Sequence, residues 1–448
     1  MRFKSILIFF VAITTLGTLQ AQDFSKKAED YVNELVKNDQ FSGNIMVAKS
    51  GKIVYLANKG YADYSFNIKN TPATRFRIGS VTKQFTAFSI LLLVEHGKLK
   101  LTDHISDYIP NYPKPYGDQI TIHQLLTHTS GIPNYTEDET FFKNRGCLED
   151  DSPDEFIRRF WNKPLDFTPG SKFSYSNSGY YLLGVIINHL KDLDYEEVLK
   201  KVLSGAQMEE SGMEKYQAVI PNLSAGYAAI GTHPKECNFI KVDLAAFSAG
   251  AMYSTATDLY KWHLFLKEQD LVSPELMAKY FTPEKESYAY GWLVSNIDGH
   301  DIQWHNGGID GFVSYIARYP KDDLFIAVLS NYEGAPIDKM GMDLAKMYFG
   351  KQVATPTMPK IVKVDPNIYN DYVGTYKLAP TFDIVITKED DRLMLQATDQ
   401  DKFEIFPKSE TLFFLKVVEA KVEFIKGEDG KVKELILHQN GKQTGVKQ

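Results

Sequence analysis

The chain of 448 residues has no dense run of basic residues and only two cysteines. Its 50 Lys and Arg residues are outnumbered by 57 Asp and Glu residues, which gives a formal net charge of -7. Because binding to nucleic-acid phosphates requires a basic surface, this balance argues against a nucleic-acid-binding protein. Hydrophobic residues make up 44% and charged residues 24%, which indicates an ordinary globular protein with a sizeable core.

Beyond the first residues, no apolar run is long enough to cross a membrane. The N-terminus begins with Arg2 and Lys4, continues with the apolar run Ile6–Leu16 and reaches a small-residue site at Leu19–Ala21. This pattern is typical of a cleaved signal peptide, and its apolar run is short for a membrane span. We therefore predict a signal peptide at residues 1–21 and a periplasmic or secreted mature protein without a membrane span. An uncleaved membrane anchor is the alternative.

Cysteine, metal and cofactor chemistry are also poorly supported. Cys147 and Cys237 could form a disulfide in an exported protein, but two buried and inert thiols are the commoner outcome. The ten histidines form no H-E-x-x-H motif and no tight cluster with acidic residues. We therefore expect no metal and no cofactor.

Strand patterns lie near both ends of residues 22–352, with helical patterns between them. The strand-type runs are Asn44–Ala48, Ile53–Leu56, Tyr290–Val294, Phe312–Tyr319 and Leu324–Leu329. Ser50-Gly51-Lys52 separates the first two runs, which predicts a β-hairpin. Helices are predicted near 26–38, from Ser80 to Gly97, at Leu259–Leu266 and near 336–349. Because strands at both ends of a domain can meet in one sheet, we predict an α/β (α+β) fold with a mixed sheet, flanking helices and a helical insertion.

A proline-rich segment, residues 353–366, separates this region from the C-terminal residues 367–448. In the C-terminal region apolar residues alternate with polar ones, as at Phe382, Ile384 and Ile386. Alternation with a period of two is typical of strands that are buried on one face. We predict a linker at 353–366, followed by a small all-β domain that is a barrel or a sandwich.

Ser80-Val81-Thr82-Lys83 is the one S-x-x-K motif of the chain, and it opens a predicted helix. Residues i and i+3 share a face of a helix, so the Lys83 amine can reach the Ser80 hydroxyl. A serine hydroxyl needs a neighbouring base to act as a nucleophile, and a desolvated lysine can lose its proton and provide one. The alternative is a serine that caps the helix beside a solvated lysine.

Two further motifs follow along the chain. Tyr175-Ser176-Asn177 lies in a polar loop that runs into a helix, and His305-Asn306-Gly307 lies where a strand is expected to begin. A tyrosinate beside Lys83 could act as a base, Asn177 could hold a substrate amide, and glycine lets a ligand approach the backbone closely. Taken separately, the motifs are as well explained by a packed tyrosine in a turn and a partly buried histidine.

Together and in this order, the three motifs resemble the serine β-lactamase and penicillin-binding-protein superfamily, which has S-x-x-K, then Y-x-N, then K-T-G or H-x-G. The resemblance is closest to its branch of class C β-lactamases, D-specific aminopeptidases, DD-carboxypeptidases and esterases. Secondary marks are Leu125–Ile132, Pro169-Gly170 and Ser248–Leu259. The resemblance implies a β-lactamase/transpeptidase-like fold, and the C-terminal residues resemble the small β-barrel appended to many such hydrolases.

The resemblance also implies roles for individual residues. Ser80 would form an acyl-enzyme, and Lys83 and Tyr175 would share the general-base and general-acid steps, with the first base open between the two. The oxyanion hole would consist of the backbone N–H groups of Ser80 and Gly308. The residues that would bind and orient the substrate are Asn177, His305 and Gly307.

The activity implied by the resemblance is hydrolysis of an amide or ester bond in a small substrate, either a D-amino-acid or cell-wall-type peptide or an ester. In place of His305, a lysine would supply a permanent positive charge for a carboxylate, whereas histidine is mostly neutral at pH 7. The alternatives are a β-lactam-hydrolysing enzyme and a penicillin-binding receptor that is acylated without turnover. An α/β-hydrolase is disfavoured, because Ala246–Gly250 lacks the first glycine of G-x-S-x-G.

We expect weak or absent β-lactamase activity, because His305 stands where other members of the superfamily carry the lysine of K-T-G. Purified protein should hydrolyse nitrocefin slowly or not at all at neutral pH, which absorbance measurements would show directly. Rapid turnover of nitrocefin would contradict this expectation.

Overall fold

The computed structural model describes residues 22–138, 151–231, 234–237, 240–356, 359–398, 400, 402–416, 420–439 and 441–448. The chain divides into two compact units, one containing Phe41–Val353 and the other containing Ala354–Gln448. The predicted signal peptide, residues 1–21, and Cys147 lie outside the described residues. Within the described ranges, no helix has both the length and the apolar character needed to span a membrane.

A six-stranded sheet forms the centre of the first unit. In order across the sheet, its strands are Leu293–Ile297, His300–Ile309, Phe312–Tyr319, Leu324–Ser330, Gly43–Lys49 and Lys52–Lys59. Gly43–Lys49 pairs with Leu324–Ser330, so strands from both ends of the unit meet as predicted. The sheet is antiparallel throughout rather than mixed, because hairpins join most of its neighbouring strands.

Helices pack on this sheet and fill the insertion between its strands. Ala256–Glu268 and Ile337–Tyr348 both contact the strand Leu324–Ser330, and every residue of that strand is buried. Among the described residues up to Val353, the other helices are 22–37, Thr82–Glu95, Ile122–Leu126, Pro153–Phe156, Asn177–His189, Tyr195–Gly205, Val242–Ala245, Phe247–Gly250 and Pro274–Phe281. The predicted α/β fold class with a helical insertion is therefore confirmed.

Short strands form small additional sheets in the first unit. They are Tyr61–Asp63, Ile68–Lys69, Phe76–Arg77, Gly212–Met213, Tyr227–Ala229, Lys235–Glu236 and Met252–Ser254. Phe76–Arg77 pairs with Met252–Ser254, and the next residue, Ile78, donates its backbone N–H to the carbonyl of Met252 at 2.9 Å. This pairing fixes the backbone immediately before Ser80.

The strand predicted at Tyr290–Val294 begins only at Leu293. Gly291 has a φ of +76°, and a Cβ atom there would lie 2.8 Å from the backbone carbonyl carbon of Lys83. Because only glycine tolerates such an approach with this backbone conformation, the chain bends against the helix Thr82–Glu95 before it enters the sheet. The strand therefore begins later than predicted because of a contact between segments that are distant in the sequence.

The helix Thr82–Glu95 is buried on nearly all sides. Phe85 and Phe88 pack on Trp262, with ring centroids 4.5 and 5.3 Å apart. The buried hydroxyl of Thr86 is hydrogen-bonded within the core, where it donates to the carbonyl oxygen of Ser248 at 2.6 Å. A helix that is buried all round has little freedom to shift, so this packing determines the position of the side chains at its N-terminus.

The second unit is a closed antiparallel barrel of eight strands. Tyr372, at the end of the short helix Tyr369–Tyr372, stacks on Phe424 inside the barrel core with a centroid distance of 4.3 Å. The barrel strands are Gly374–Ala379, Phe382–Glu389, Arg392–Ala397, Lys402–Pro407, Leu412–Leu415, Lys421–Lys426, Val432–His438 and Lys442–Lys447. Closure leaves no unpaired sheet edge, and the predicted small β-barrel is confirmed.

Candidate active site

Ser80 lies in a single turn of 3-10 helix, Gly79–Val81, that leads into the helix Thr82–Glu95. Gly79 has a φ of +48°, and a Cβ atom there would lie 2.8 Å from the backbone nitrogen of Gly308. A Cβ atom on Gly307 would lie 2.1 Å from the carbonyl oxygen of Ile78. Glycine at both positions therefore allows the Ser80 turn to pack directly on the backbone of the strand His300–Ile309.

His305 and its glycines lie in the interior of the strand His300–Ile309, not at the start of a strand as predicted. Gly308 pairs with Val313 of the next strand, and the space in front of its Cα is open. Both Ser80 and Gly308 line the same cavity. The two backbone N–H groups predicted to form the oxyanion hole therefore belong to residues that line one cavity.

Lys83 is fully buried next to Ser80. Its Nζ atom lies 3.0 Å from Ser80 Oγ, 2.8 Å from Asn177 Oδ1 and 2.8 Å from the carbonyl oxygen of Ala249. All three of these partners are uncharged. Burial lowers the pKa of the Lys83 ammonium well below its ordinary value, because removal from water disfavours the charged form.

Tyr175 lies on the other side of this amine. Lys83 Nζ is 4.9 Å from the centroid of the Tyr175 ring. Burial raises the pKa of the Tyr175 hydroxyl, and a hydrogen bond with Ser80 acts in the opposite direction without cancelling it. Near neutral pH the phenol is therefore protonated, while burial shifts Lys83 towards its neutral form.

Asn177 is the first residue of the helix Asn177–His189. Its Oδ1 atom accepts from Lys83 Nζ, its Nδ2 atom donates to Thr136 Oγ1 at 3.0 Å, and its backbone N–H donates to Asn134 Oδ1 at 3.0 Å. These bonds fix the amide orientation and hold its oxygen towards the lysine. Asn177 also lines the cavity at Ser80, which is compatible with its predicted contact with substrate.

Both ring nitrogens of His305 have partners within the protein. Nδ1 donates to the carbonyl oxygen of Asn306 at 2.5 Å, so Nε2 accepts from the hydroxyl of Tyr288 at 3.0 Å. Burial is the largest of the causes that lower the pKa of His305 to about 3. The histidine is therefore neutral near pH 7, as expected from the sequence.

Two adjoining cavities meet at Ser80. The smaller has a volume of about 390 Å³ and is lined by Ser80, Asn177 and Gly308 among others. The larger has a volume of about 800 Å³, and the predicted site residues that line it are Ser80, Tyr175, His305, Gly307 and Gly308. Six of the seven predicted residues thus line one or both of these cavities, and the seventh, Lys83, contacts Ser80.

The smaller cavity also carries two acidic groups that belong to none of the three motifs. Asp310 and Glu333 both line it. Burial and the charge of Glu333 raise the pKa of Asp310, while Arg77 acts in the opposite direction. Glu333 Oε2 accepts from the backbone N–H of Gly311 at 3.1 Å and from the thiol of Cys237 at 2.9 Å, and Cys237 is a free thiol.

Sequence reasoning missed several side chains that contact the predicted site residues, among them Asn134, whose Oδ1 atom accepts from the backbone N–H of Asn177. Thr136 bonds to Asn177, Tyr288 bonds to His305, and the ring of His128 packs at a tilt against the ring of Tyr175 with a centroid distance of 4.3 Å. His128 lies within Leu125–Ile132, one of the segments that resemble the family, so the resemblance could have pointed to this part of the chain. Thr136 and Tyr288 stand outside any motif, and only their positions in space connect them with the site.

The chain matches the beta-lactamase family over residues 28–345. It therefore belongs to the beta-lactamase family, whose members include hydrolases. A separate family, described as a domain of unknown function (DUF3471), matches residues 359–447, which contain the barrel.

Individual relatives agree with this assignment. Penicillin-binding protein 4* of Bacillus subtilis is 29% identical over 446 residues, which cover 94% of this chain and 98% of the relative. The octameric penicillin-binding protein homologue from Pyrococcus abyssi is 25% identical, has a TM-score of 0.63 and covers 94% of this chain and 99% of its own. The penicillin binding protein from Bacillus halodurans is 28% identical and has a TM-score of 0.62. The match covers 71% of this chain and 98% of that protein's chain.

Replacement of Lys83 by methionine should change how the stability of the protein depends on pH. Because burial lowers the pKa of Lys83 below its ordinary value of 10.5, the folded protein binds fewer protons than the unfolded chain between the two pKa values. In that window the contribution of Lys83 to the free energy of unfolding rises with pH, by at most about 1.4 kcal/mol per pH unit. Urea unfolding at about pH 7 and about pH 9 should show wild type gaining stability relative to Lys83→Met.

The control is Lys98→Met, which removes an exposed lysine from the same region of the chain. This variant should follow wild type at both pH values. If wild type and Lys83→Met instead showed the same dependence on pH, the lowered pKa of Lys83 would be contradicted.

Proposed function

We propose that this protein is an exported serine hydrolase that cleaves an amide or ester bond of a small substrate through an acyl-enzyme on Ser80. The observation that carries the proposal is the 3.0 Å contact between Ser80 Oγ and the Nζ atom of buried Lys83. Because burial lowers the pKa of this amine and its partners are uncharged, Lys83 can be neutral near pH 7. A neutral amine beside a serine hydroxyl is a base that can activate a nucleophile.

The geometry around Lys83 suits acylation. The two N–H groups of a neutral amine match the two acceptors Asn177 Oδ1 and Ala249 O, which leaves the lone pair for the hydroxyl proton of Ser80. Lys83 takes that proton as Ser80 Oγ forms a bond to the carbonyl carbon of the substrate. The backbone N–H groups of Ser80 and Gly308 stabilise the negative charge that develops on the carbonyl oxygen. This assignment makes Lys83, rather than Tyr175, the first base.

Tyr175 has the opposite protonation state and therefore a complementary role. Burial raises its pKa, so its hydroxyl holds a proton that can pass to the departing nitrogen or oxygen as the C–N or C–O bond breaks. The ammonium of Lys83 then returns a proton to the phenolate. In the second half of the reaction a water molecule loses a proton to this pair and attacks the acyl group, and Ser80 recovers its proton as it leaves.

The surroundings of His305 favour an amide or an ester without a carboxylate at this position over a β-lactam as substrate. A neutral ring with both nitrogens engaged offers no positive charge for the carboxylate of a β-lactam. The cavities on the two sides of Ser80 can take the acyl part and the leaving group of a small substrate, with Asn177 and Gly307 as further contacts. The family resemblance favours D-amino-acid or cell-wall-type peptides, or esters, for these positions.

Export is part of the proposal, and it rests on the charged start, apolar run and small-residue site within residues 1–21. Removal of these residues would leave a protein that begins at Gln22. The mass of the protein recovered from the periplasm or the medium should correspond to this N-terminus.

Replacement of Ser80 by alanine tests the proposed chemistry. Wild type should be labelled by a fluorophosphonate and should turn over p-nitrophenyl esters or D-amino-acid amides, with an acyl adduct on Ser80 visible by mass spectrometry. Ser80→Ala should lose about 10⁴-fold or more in kcat/KM, because removal of a nucleophile leaves only binding and the oxyanion hole. The exposed Ser65→Ala serves as the matched control and should behave as wild type.

The same assay separates the remaining alternatives. Lasting labelling by a fluorescent penicillin without turnover of any substrate would favour a penicillin-binding receptor. Turnover by Ser80→Ala at the wild-type rate would overturn the whole assignment.

A further inference from the structure

Behind Tyr175 lies a buried histidine that the proposed chemistry does not use. His128 follows the helix Ile122–Leu126, is 1% exposed and has a φ of +56°. Its carbonyl oxygen accepts the backbone N–H of Ser174 at 2.9 Å, and its Nδ1 atom accepts the backbone N–H of Ser176 at 3.0 Å. Its ring lies at a centroid distance of 4.3 Å from the ring of Tyr175. One residue thus holds the backbone on both sides of Tyr175 and contacts its ring.

The hydrogen-bonding state of this ring explains why the position holds a histidine. Because Nδ1 accepts a hydrogen bond and burial lowers the pKa of His128 well below its usual value, the ring is neutral and carries its proton on Nε2. Nε2 is buried and has no hydrogen-bond partner among the described residues. An unpaired buried donor is destabilising, so an apolar side chain would pack here at lower cost. The acceptor at Nδ1 is the property that an apolar side chain cannot replace.

We infer that His128 is a positioning residue that holds Tyr175 in place for proton transfer, an inference that rests on the hydrolase mechanism proposed above. Residues 172–176 form neither helix nor strand, so local secondary structure does not fix the tyrosine. The two hydrogen bonds that His128 accepts, from Ser174 and Ser176, take the place of the backbone hydrogen bonds that a helix or strand would provide. They hold the residues directly before and after Tyr175. Because proton transfer requires hydrogen-bond distance, a small displacement of the phenol lowers the rate.

The substrate used in the assay can separate positioning from a general effect on the fold. A p-nitrophenolate leaving group departs without protonation, whereas an alkoxide or an amine needs a proton from a general acid. Loss of a well-placed general acid therefore slows an alkyl ester or an amide more than the p-nitrophenyl ester of the same acyl group. A defect in folding or acyl-group binding lowers both rates by the same factor.

Two substitutions divide the contacts of His128 between them. His128→Phe keeps a ring against Tyr175 and removes the acceptor for Ser176. His128→Asn keeps an acceptor on the same Cγ atom and tolerates the left-handed backbone, but removes the ring. We expect His128→Phe to lose about 10²-fold in kcat/KM for the poor leaving group and only a few-fold for the p-nitrophenyl ester, because kcat/KM reports acylation and excludes the deacylation step that both substrates share. His128→Asn should stay within about tenfold of wild type on both substrates, because it restores the acceptor.

Controls keep the outcome interpretable. His96→Asn, at an exposed histidine, should behave as wild type. If circular dichroism shows that His128→Phe does not fold, His128→Ala takes its place with the same expectation. Equal losses on both substrates for the folded variant, or no rescue by asparagine, would overturn the inference.

The variant Tyr175→Phe shows whether a negative result contradicts only the positioning role of His128 or also the proposed hydrolase mechanism. If Tyr175→Phe itself shows the selective loss on the poor leaving group and the His128 variant does not, His128 is not a positioning residue. If Tyr175→Phe lowers both substrates equally, the general-acid role of Tyr175 is wrong, and the inference falls with it.

Discussion

The burial of Lys83 without a charged partner is the constraint on which the candidate site depends. A lysine in this setting favours its neutral form, since an ammonium ion loses its hydration and gains no carboxylate in return. Each acceptor around it therefore matters: Asn177 and the carbonyl of Ala249 orient the amine, and Ser80 completes its surroundings. The same dry environment keeps the phenol of Tyr175 protonated and His305 neutral. Burial thus shifts the pKa values of Lys83, Tyr175 and His305 in the directions that favour their uncharged forms.

This environment exists because backbone segments approach one another unusually closely. Gly79 and Gly307 let the Ser80 turn lie on the backbone of the strand His300–Ile309, and Gly291 lies against the backbone of Lys83 itself. A side chain at any of these positions would overlap neighbouring atoms and separate the turn from the strand. The aromatic packing of the helix Thr82–Glu95 then prevents the lysine from moving towards water.

Much of the fold could be predicted from the sequence, because local patterns determine much of it. The apolar runs at Phe312–Tyr319 and Leu324–Leu329 and the turn between them correspond to observed strands, and alternation in the C-terminal region predicted the barrel. Two predictions were wrong: the sheet is antiparallel and not mixed, and the strand expected to begin at Tyr290 begins at Leu293. Apolar runs do not encode whether neighbouring strands run parallel, and the bend at Gly291 depends on a helix some two hundred residues away in the chain.

The candidate site shows the same division. Spacing along one helix was enough to pair Ser80 with Lys83, and the order of three motifs was enough to propose Tyr175, Asn177 and His305 as their partners. Tertiary structure alone decided what surrounds them: the carbonyl of Ala249, the hydroxyl of Tyr288 and the ring of His128. These contacts join segments that are distant in the sequence, and pKa values depend on burial in three dimensions. The sequence by itself therefore determined which groups could react, and only the folded structure decided their protonation states and positions.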